Sequence, residues 1–224
     1  MRELRRGLLV TTICLAASVF LSAGVSHAKK ADSKVKVKVE ADLQPCGAVL
    51  PATSPCAPGG TPPEPDAEGT AKHEKETQKG VVKKDEFKGK VKIPVDPGSK
   101  LGIIDEATAE GADIRMILSR QDGTTGIFTD FAECRLAFDK IEMEDEEDDG
   151  DNSKAYAEYK VEVLVKKGAV QAKKGICDMN PTTAAIELGI PDAKAGDVVT
   201  ATLVVNPANR ALDVDFLQGT FKND

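Results

Sequence analysis

The segment Ala157-Glu158-Tyr159-Lys160-Val161-Glu162-Val163-Leu164-Val165 decides the fold class. Ala157, Tyr159, Val161, Val163 and Val165 alternate with Glu158, Lys160 and Glu162, which is the period of a strand with one apolar face and one solvated face. Lys166-Lys167-Gly168 then supplies turn chemistry, and Val170 and Ala172 resume the alternation, so the stretch reads as a β-hairpin.

The same period recurs on both sides. Towards the N-terminus, Lys34-Val35-Lys36-Val37-Lys38-Val39 sets valines against lysines, a half-buried strand whose charges suit a sheet edge. Phe87, Gly89, Val91 and Ile93 oppose Lys88, Lys90 and Lys92 and stop near Val95, where Asp96-Pro97-Gly98 turns the chain. Ile114, Met116 and Leu118 alternate before turn residues at Asp122, Gly123 and Gly126. Cys134, Leu136 and Phe138 then point one way while Glu133, Arg135 and Asp139 point the other, which places Cys134 on a buried face. A second hairpin joins Val199-Ala201-Leu203-Val205 to Leu212-Val214-Phe216 through Asn206-Pro207-Ala208-Asn209. Ala71 to Gln78 is almost wholly polar and reads as a solvated strand or loop, and helical spacing is confined to Thr182 to Leu188. About eight short strands separated by turn signals predict an all-β chain, an antiparallel β-sandwich over residues 70–224. There is no tryptophan, so Val, Ile, Leu and Ala build the core, with Phe128, Phe131, Phe138 and Phe216 as its larger pieces.

At the start of the chain Arg2, Arg5 and Arg6 precede an uncharged run from Gly7 to Ser26 that closes on Ser26-His27-Ala28. A basic stretch, an apolar stretch and a small-x-small triplet together predict a signal peptide over residues 1–28. A retained anchor fits less well, because Thr11, Thr12, Ser18, Ser22 and Gly24 dilute the run. The expected product is secreted or periplasmic, with no membrane span after cleavage. It then divides into an N-terminal strand (29–43), a proline-rich arm closed by a disulfide (44–69, with seven prolines from Pro45 to Pro65) and the sandwich. The net charge of −7 becomes −9 once residues 1–28, with three arginines and one glutamate, are removed. That balance argues against nucleic acid and anionic membrane surfaces as partners, because both require clustered positive charge.

Four cysteines follow the predicted cleavage point: Cys46, Cys56, Cys134 and Cys177. In an exported chain they are expected as disulfides. Four cysteines allow three connectivities; proximity across the proline-rich stretch favours Cys46 with Cys56, leaving Cys134 with Cys177. No C-x-x-C pair and no second histidine near His73 supports a transition-metal site.

The acidic run from Glu142 to Asp151 is the one unusual cluster, placed at the tip of a long hairpin. Asp145, Glu147, Asp149 and Asp151 are candidate calcium ligands, since calcium takes six to eight oxygens. Tyr156 stands where an EF-hand requires a bidentate glutamate, which leaves a solvated, self-repelling loop as the plainer reading. Catalytic means are few: His73 would have to serve any Ser-His or Cys-His arrangement, and no phosphate or dinucleotide loop is present. Glycosidase-like carboxylate pairs lack aromatic platforms, while Asp213 and Asp215 read as the solvent face of a strand. The sequence thus predicts a non-catalytic binding or structural module without cofactor, whose partner is an extracytoplasmic protein or surface ligand. A calcium-binding surface protein and an enzyme of unrecognised type are the alternatives. Cleavage after Ala28 predicts an exported species of residues 29–224; an intact mass that retains residues 1–28 overturns it.

Overall fold

The computed structural model describes residues 34–46, 62–145, 153–183, 185–207 and 209–224. In chain order the strands are β1 (Lys34–Pro45), β2 (Glu68–Gln78), β3 (Val81–Pro94), β4 (Ile114–Gln121), β5 (Phe128–Arg135), β6 (Ala137–Asp145), β7 (Ser153–Lys166), β8 (Ala169–Lys174), β9 (Ile176–Asp178), β10 (Val198–Leu203), β11 (Val214–Thr220) and β12 (Lys222–Asn223). One short helix, α1 (Glu106–Gly111), lies between β3 and β4.

β7 carries the alternation expected of it. Ala157, Tyr159, Val161 and Val163 are buried in the core. The turn into β8 holds Lys167 at φ 54° and Gly168 at φ 79°, the two left-handed positions that a tight hairpin of this twist needs. The β10–β11 hairpin also forms as expected, with Thr200 opposite Gln218 and Ala201 opposite Leu217.

All strands join one curled antiparallel sheet in the order β6-β7-β3-β2-β1-β11-β10-β4-β5-β9, with β12 added to β1 and β8 to β7. The curl follows from two places where the chain leaves one partner for another. β5 runs into β6 across Leu136, whose N–H bonds the Ile114 carbonyl at 2.9 Å, so β6, at one end of the strand path, and β5, next to the other end, are a single residue apart in the chain. β8 runs into β9 across Gly175, at φ 56°, where a Cβ would stand 2.3 Å from the Arg135 carbonyl oxygen. Only glycine fits so close a crossing.

The larger core pieces are Tyr159, Phe87, Phe216 and Phe221. Of the four phenylalanines expected there, Phe216 is fully buried, Phe131 and Phe138 pack at the core margin, and Phe128 is only half-buried. Phe138 stands edge-on to Tyr159, with ring centroids 5.8 Å apart. The Tyr159 hydroxyl donates to the Ala109 carbonyl at 2.9 Å and fastens α1 over the core. That helix had no periodicity to announce it. Its signal is the capping box of Asp105 and Thr108, in which the Thr108 N–H bonds Asp105 Oδ1 at 2.8 Å and Thr108 Oγ1 accepts from the Asp105 N–H at 3.0 Å. The helical spacing over Thr182 to Leu188 does not become a helix. The chain there doubles back on β9, with Met179 N–H to Glu187 O at 2.8 Å and a bridge between Asp178 and Leu188.

Ala71 to Gln78 corrects its sequence reading more sharply. It is most of β2, an inner strand paired with β1 on one side and β3 on the other, and both Ala71 and His73 are 1% exposed. Polar composition misled because the outer face of this part of the sheet is itself a lattice of ion pairs. Cys134 and Cys177 are bonded, as expected, directly opposite one another on β5 and β9, fully buried, and close a sequence separation of 43. In the chain-entropy account such a loop contributes about 3–4 kcal/mol. Cys46 is also disulfide-bonded, while Cys56, most of residues 44–69, expected as a proline-rich arm, and residues 1–28, expected as a signal peptide, lie outside the described residues. Among the described residues no helix is long and apolar enough to cross a membrane.

Gly89 was placed on the apolar face of β3, and it lies there with no room to spare. A Cβ would meet Met116 Sδ at 2.5 Å and Val161 Cγ1 at 2.9 Å. Gly89→Val should therefore cost about 1–3 kcal/mol by overpacking, read as a lower urea midpoint; unchanged stability would refute the tight seat.

Candidate functional site

Among the described residues His73 is the one histidine, with titration chemistry near neutrality, and β2 turns it inward. It is 1% exposed, opposite Val39 of β1 and Phe87 of β3. Nδ1 lies 3.0 Å from the Ala193 carbonyl oxygen and Nε2 lies 2.9 Å from Asp85 Oδ1. Both neighbours are acceptors, so both ring nitrogens carry protons when both bonds are made, and the buried group is an imidazolium paired with a carboxylate. Burial pulls its pKa down, but Asp85, the Ala193 carbonyl and Asp192 together raise it above the ordinary histidine value. Lys75 stands 3.5 Å from Asp85 and 3.3 Å from Asp192.

The segment carrying Asp192 and Ala193 is held from a second direction. Arg120 of β4 donates to Asp197 at 2.8 and 2.6 Å and to the Asp192 carbonyl at 2.9 Å. Its guanidinium also lies 4.6 Å from the centroid of the Phe131 ring. A general base must reach the proton it removes, and His73 is enclosed on every side by groups that already use its two nitrogens. Its arrangement serves to fasten the 189–197 segment to β2 and β3.

Among the open grooves of the described residues, two gather charged side chains from several strands. One, of about 480 Å³, is lined by Lys72, Lys88, Lys90, Lys160 and Lys174 with Thr70 and Glu162. Lys72 lies directly opposite Lys88, and Lys90 opposite Lys160. Such pairs repel when unscreened, and carboxylates answer each of them. Glu40 takes Lys72 at 2.8 Å, Glu86 takes Lys88 at 3.0 Å, and Asp139 takes Lys160 at 2.8 Å. Glu158, 1% exposed, sits between Lys90 and Lys160 and bonds both. Burial raises its pKa, and the two ammonium groups more than reverse that. A little farther along the same face, Lys84 and Lys36 hold Glu74 down to about 2. The groove is therefore charged but internally compensated.

The second groove, of about 360 Å³, collects Asp130, Glu133, Asp213 and Asp215 around Ile117, Pro181, Thr182 and Thr202. Asp130 accepts from Ser119 Oγ at 2.6 Å and Asp215 from Thr202 Oγ1 at 2.7 Å. Asp213 and Asp215, read from sequence as a solvent face, are half-buried in this groove. Topology alone assembles these four carboxylates, from β5, the start of β11 and β11 itself, so no local motif could have announced them.

The calcium candidates are not brought into a described site. The side chain of Asp145, and all of Glu147, Asp149 and Asp151, lie outside the described residues. The carboxylates just before them are committed elsewhere: Glu142 stands 3.2 Å from Lys92, and Glu144 bonds the same ammonium. Among the described residues no group of three or more His, Cys, Asp or Glu side chains could hold a metal ion.

The His73 contacts fix a pH dependence. The folded pKa is raised, so the bonds contribute fully below the unfolded value, near ~6.5, and are lost as pH rises through the folded value. Thermal stability should fall as pH climbs from about 6 towards 9, and His73→Gln should flatten that slope; an equal slope in both proteins would show that the imidazolium is not its source. The chain matches no protein-family model, no curated protein and no solved structure.

Proposed function

We propose that this chain is a non-catalytic binding or structural module of the β-sandwich kind, working in the periplasm or outside the cell after removal of residues 1–28. The observation that carries the non-catalytic reading is the enclosure of His73, with both nitrogens engaged and 1% of its surface exposed. The buried Cys134–Cys177 disulfide supports an oxidising compartment. With acid–base chemistry turned inward, the outer surface presents strands, compensated charge and shallow grooves, which are means of adhesion.

Calcium binding through residues 142–151 is the second reading, and the acidic composition of that loop is what favours it. Binding to the folded state raises stability by mass action, so the two readings separate in one measurement. Millimolar calcium should leave the melting temperature of the oxidised protein unchanged, and fractionation after thiol alkylation should recover Cys134 and Cys177 unmodified outside the cytoplasm. A calcium-dependent rise would transfer the protein to the ion-binding class. A reduced cytoplasmic pool, or turnover of any generic ester or glycoside substrate, would overturn the module reading.

A further inference from the structure

The first four residues of β1 offer an open sheet edge. Lys34 to Val37 pair with β2 on one side, and among the described residues nothing pairs with them on the other. Val35 and Val37 are 55% and 42% exposed, although they continue the row of Val39, Ala41 and Leu43 that enters the core. The lysines of the same stretch lie on the outer face, where Lys34 pairs with Glu76 at 3.0 Å and Lys36 with Glu74 at 2.9 Å.

The next positions along this edge show what it accepts. β12 is added antiparallel to β1, with Lys222 opposite Glu40. Asp224 then donates its N–H to the Lys38 carbonyl at 3.2 Å while its carboxylate bonds the Lys38 ammonium. Backbone pairing and charge alternation thus coincide at Glu40 and Lys38. Lys36 and Lys34, two and four residues on, turn their N–H and C=O groups to the same side as Lys38, because strand geometry repeats every second residue. Across the sheet, Lys84, Glu76 and Lys36 stand in one row of alternating sign that stops at the open edge.

We propose that Lys34–Val37 is a strand-addition site for an extended segment of another protein in which carboxylates alternate with apolar residues. Carboxylates would lie opposite Lys34 and Lys36 on the outer face, and apolar side chains beside Val35 and Val37 on the inner face. Main-chain bonds supply affinity in this mode and the alternating side chains supply selectivity. An edge lined with lysine repels most strands, so here the same charges act as the selector.

A second copy of the chain fits poorly. β1 against β1 sets lysine opposite lysine. The acidic strand β6 fails for a geometric reason. Ala155 gives its carbonyl to Val95 on the β3 side, so Tyr156 and Lys154 face β6, opposite Glu142 and Glu144. The backbone groups left for the open side of β6 then belong to Ile141 and Met143. Antiparallel addition would lay those apolar residues, and not the glutamates, across from Lys36.

The proposal rests on the reading of the chain as a binding module but fails separately from it, because it stands or falls on one edge. The test titrates the full oxidised protein with a blocked Glu-Val-Glu-Val-Glu peptide and, as control, its lysine counterpart, following backbone amide shifts. The glutamate peptide should perturb residues 34–38 in a saturable, salt-sensitive manner, at least about ten-fold more tightly than the control. Lys34→Glu with Lys36→Glu should invert that preference. Lys36→Pro removes an N–H that faces the open edge and none of the β1–β2 ladder, so it should stay folded and lose the peptide. Equal binding of both peptides, indifference to charge reversal, no perturbation at millimolar peptide, or a dimer that occupies this edge would each overturn the proposal.

Discussion

The fold depends on one close approach. Where β8 passes into β9, Gly175 stands so near the Arg135 carbonyl that a methyl group could not be inserted, and beside it β5 passes into β6 at Leu136. These two crossings occur at the same corner, and they let one pair of chain segments serve both the β7 side and the β4 side of the sheet. A long strand path would otherwise splay open with its apolar face in water. The disulfide between Cys134 and Cys177 sits immediately next to the corner, on the strands that have just crossed. Packing, backbone geometry and a covalent bond therefore act on the same few residues.

The outer face obeys a second constraint, that of charge. Lysines and carboxylates are interleaved across β1, β2, β3 and β7, and where lysines meet, each is answered by a carboxylate: Glu158 lies between Lys90 and Lys160 and Asp139 between Lys160 and Lys174, while Glu40 takes Lys72 and Glu86 takes Lys88. Isolated surface pairs contribute little, but a lattice constrains which residue can stand where. It also explains how β2 can be an inner strand while reading as solvated: its polar residues on one side belong to the lattice, and His73 on the other side is satisfied by Asp85 and Ala193.

Much of this was legible in the alternation itself. The β7–β8 and β10–β11 hairpins and the inward faces of β3 and β5 follow from period-two patterning and turn residues, because those signals are local, whereas the Cys134–Cys177 bond follows by elimination once Cys46 is assigned to Cys56. What composition concealed was nonlocal. Nothing near His73 in sequence announces Ala193, 120 positions away, which encloses it, and nothing in residues 130 to 215 marks the convergence of Asp130, Glu133, Asp213 and Asp215. The number of strands was underestimated because β5 with β6 read as a single run until pairing divides them, and because β9 and β12, of three and two residues, are too short to show an alternation. α1 was missed because its evidence is one capping box in six residues, too short for a period to show.

The position of the disulfide has a consequence for the integrity of the chain. Cys134 and Cys177 lie on opposite sides of the acidic stretch 146–152, with the β6–β7 pairing between them. A peptide bond broken anywhere in that stretch would divide the polypeptide in two without releasing either part, since the sulfur bridge would still join the pieces and the strands flanking the break would remain in their ladders. A chain cut at its most acidic point would thus persist as two pieces joined by one covalent bond and by the strand pairing on either side of the cut.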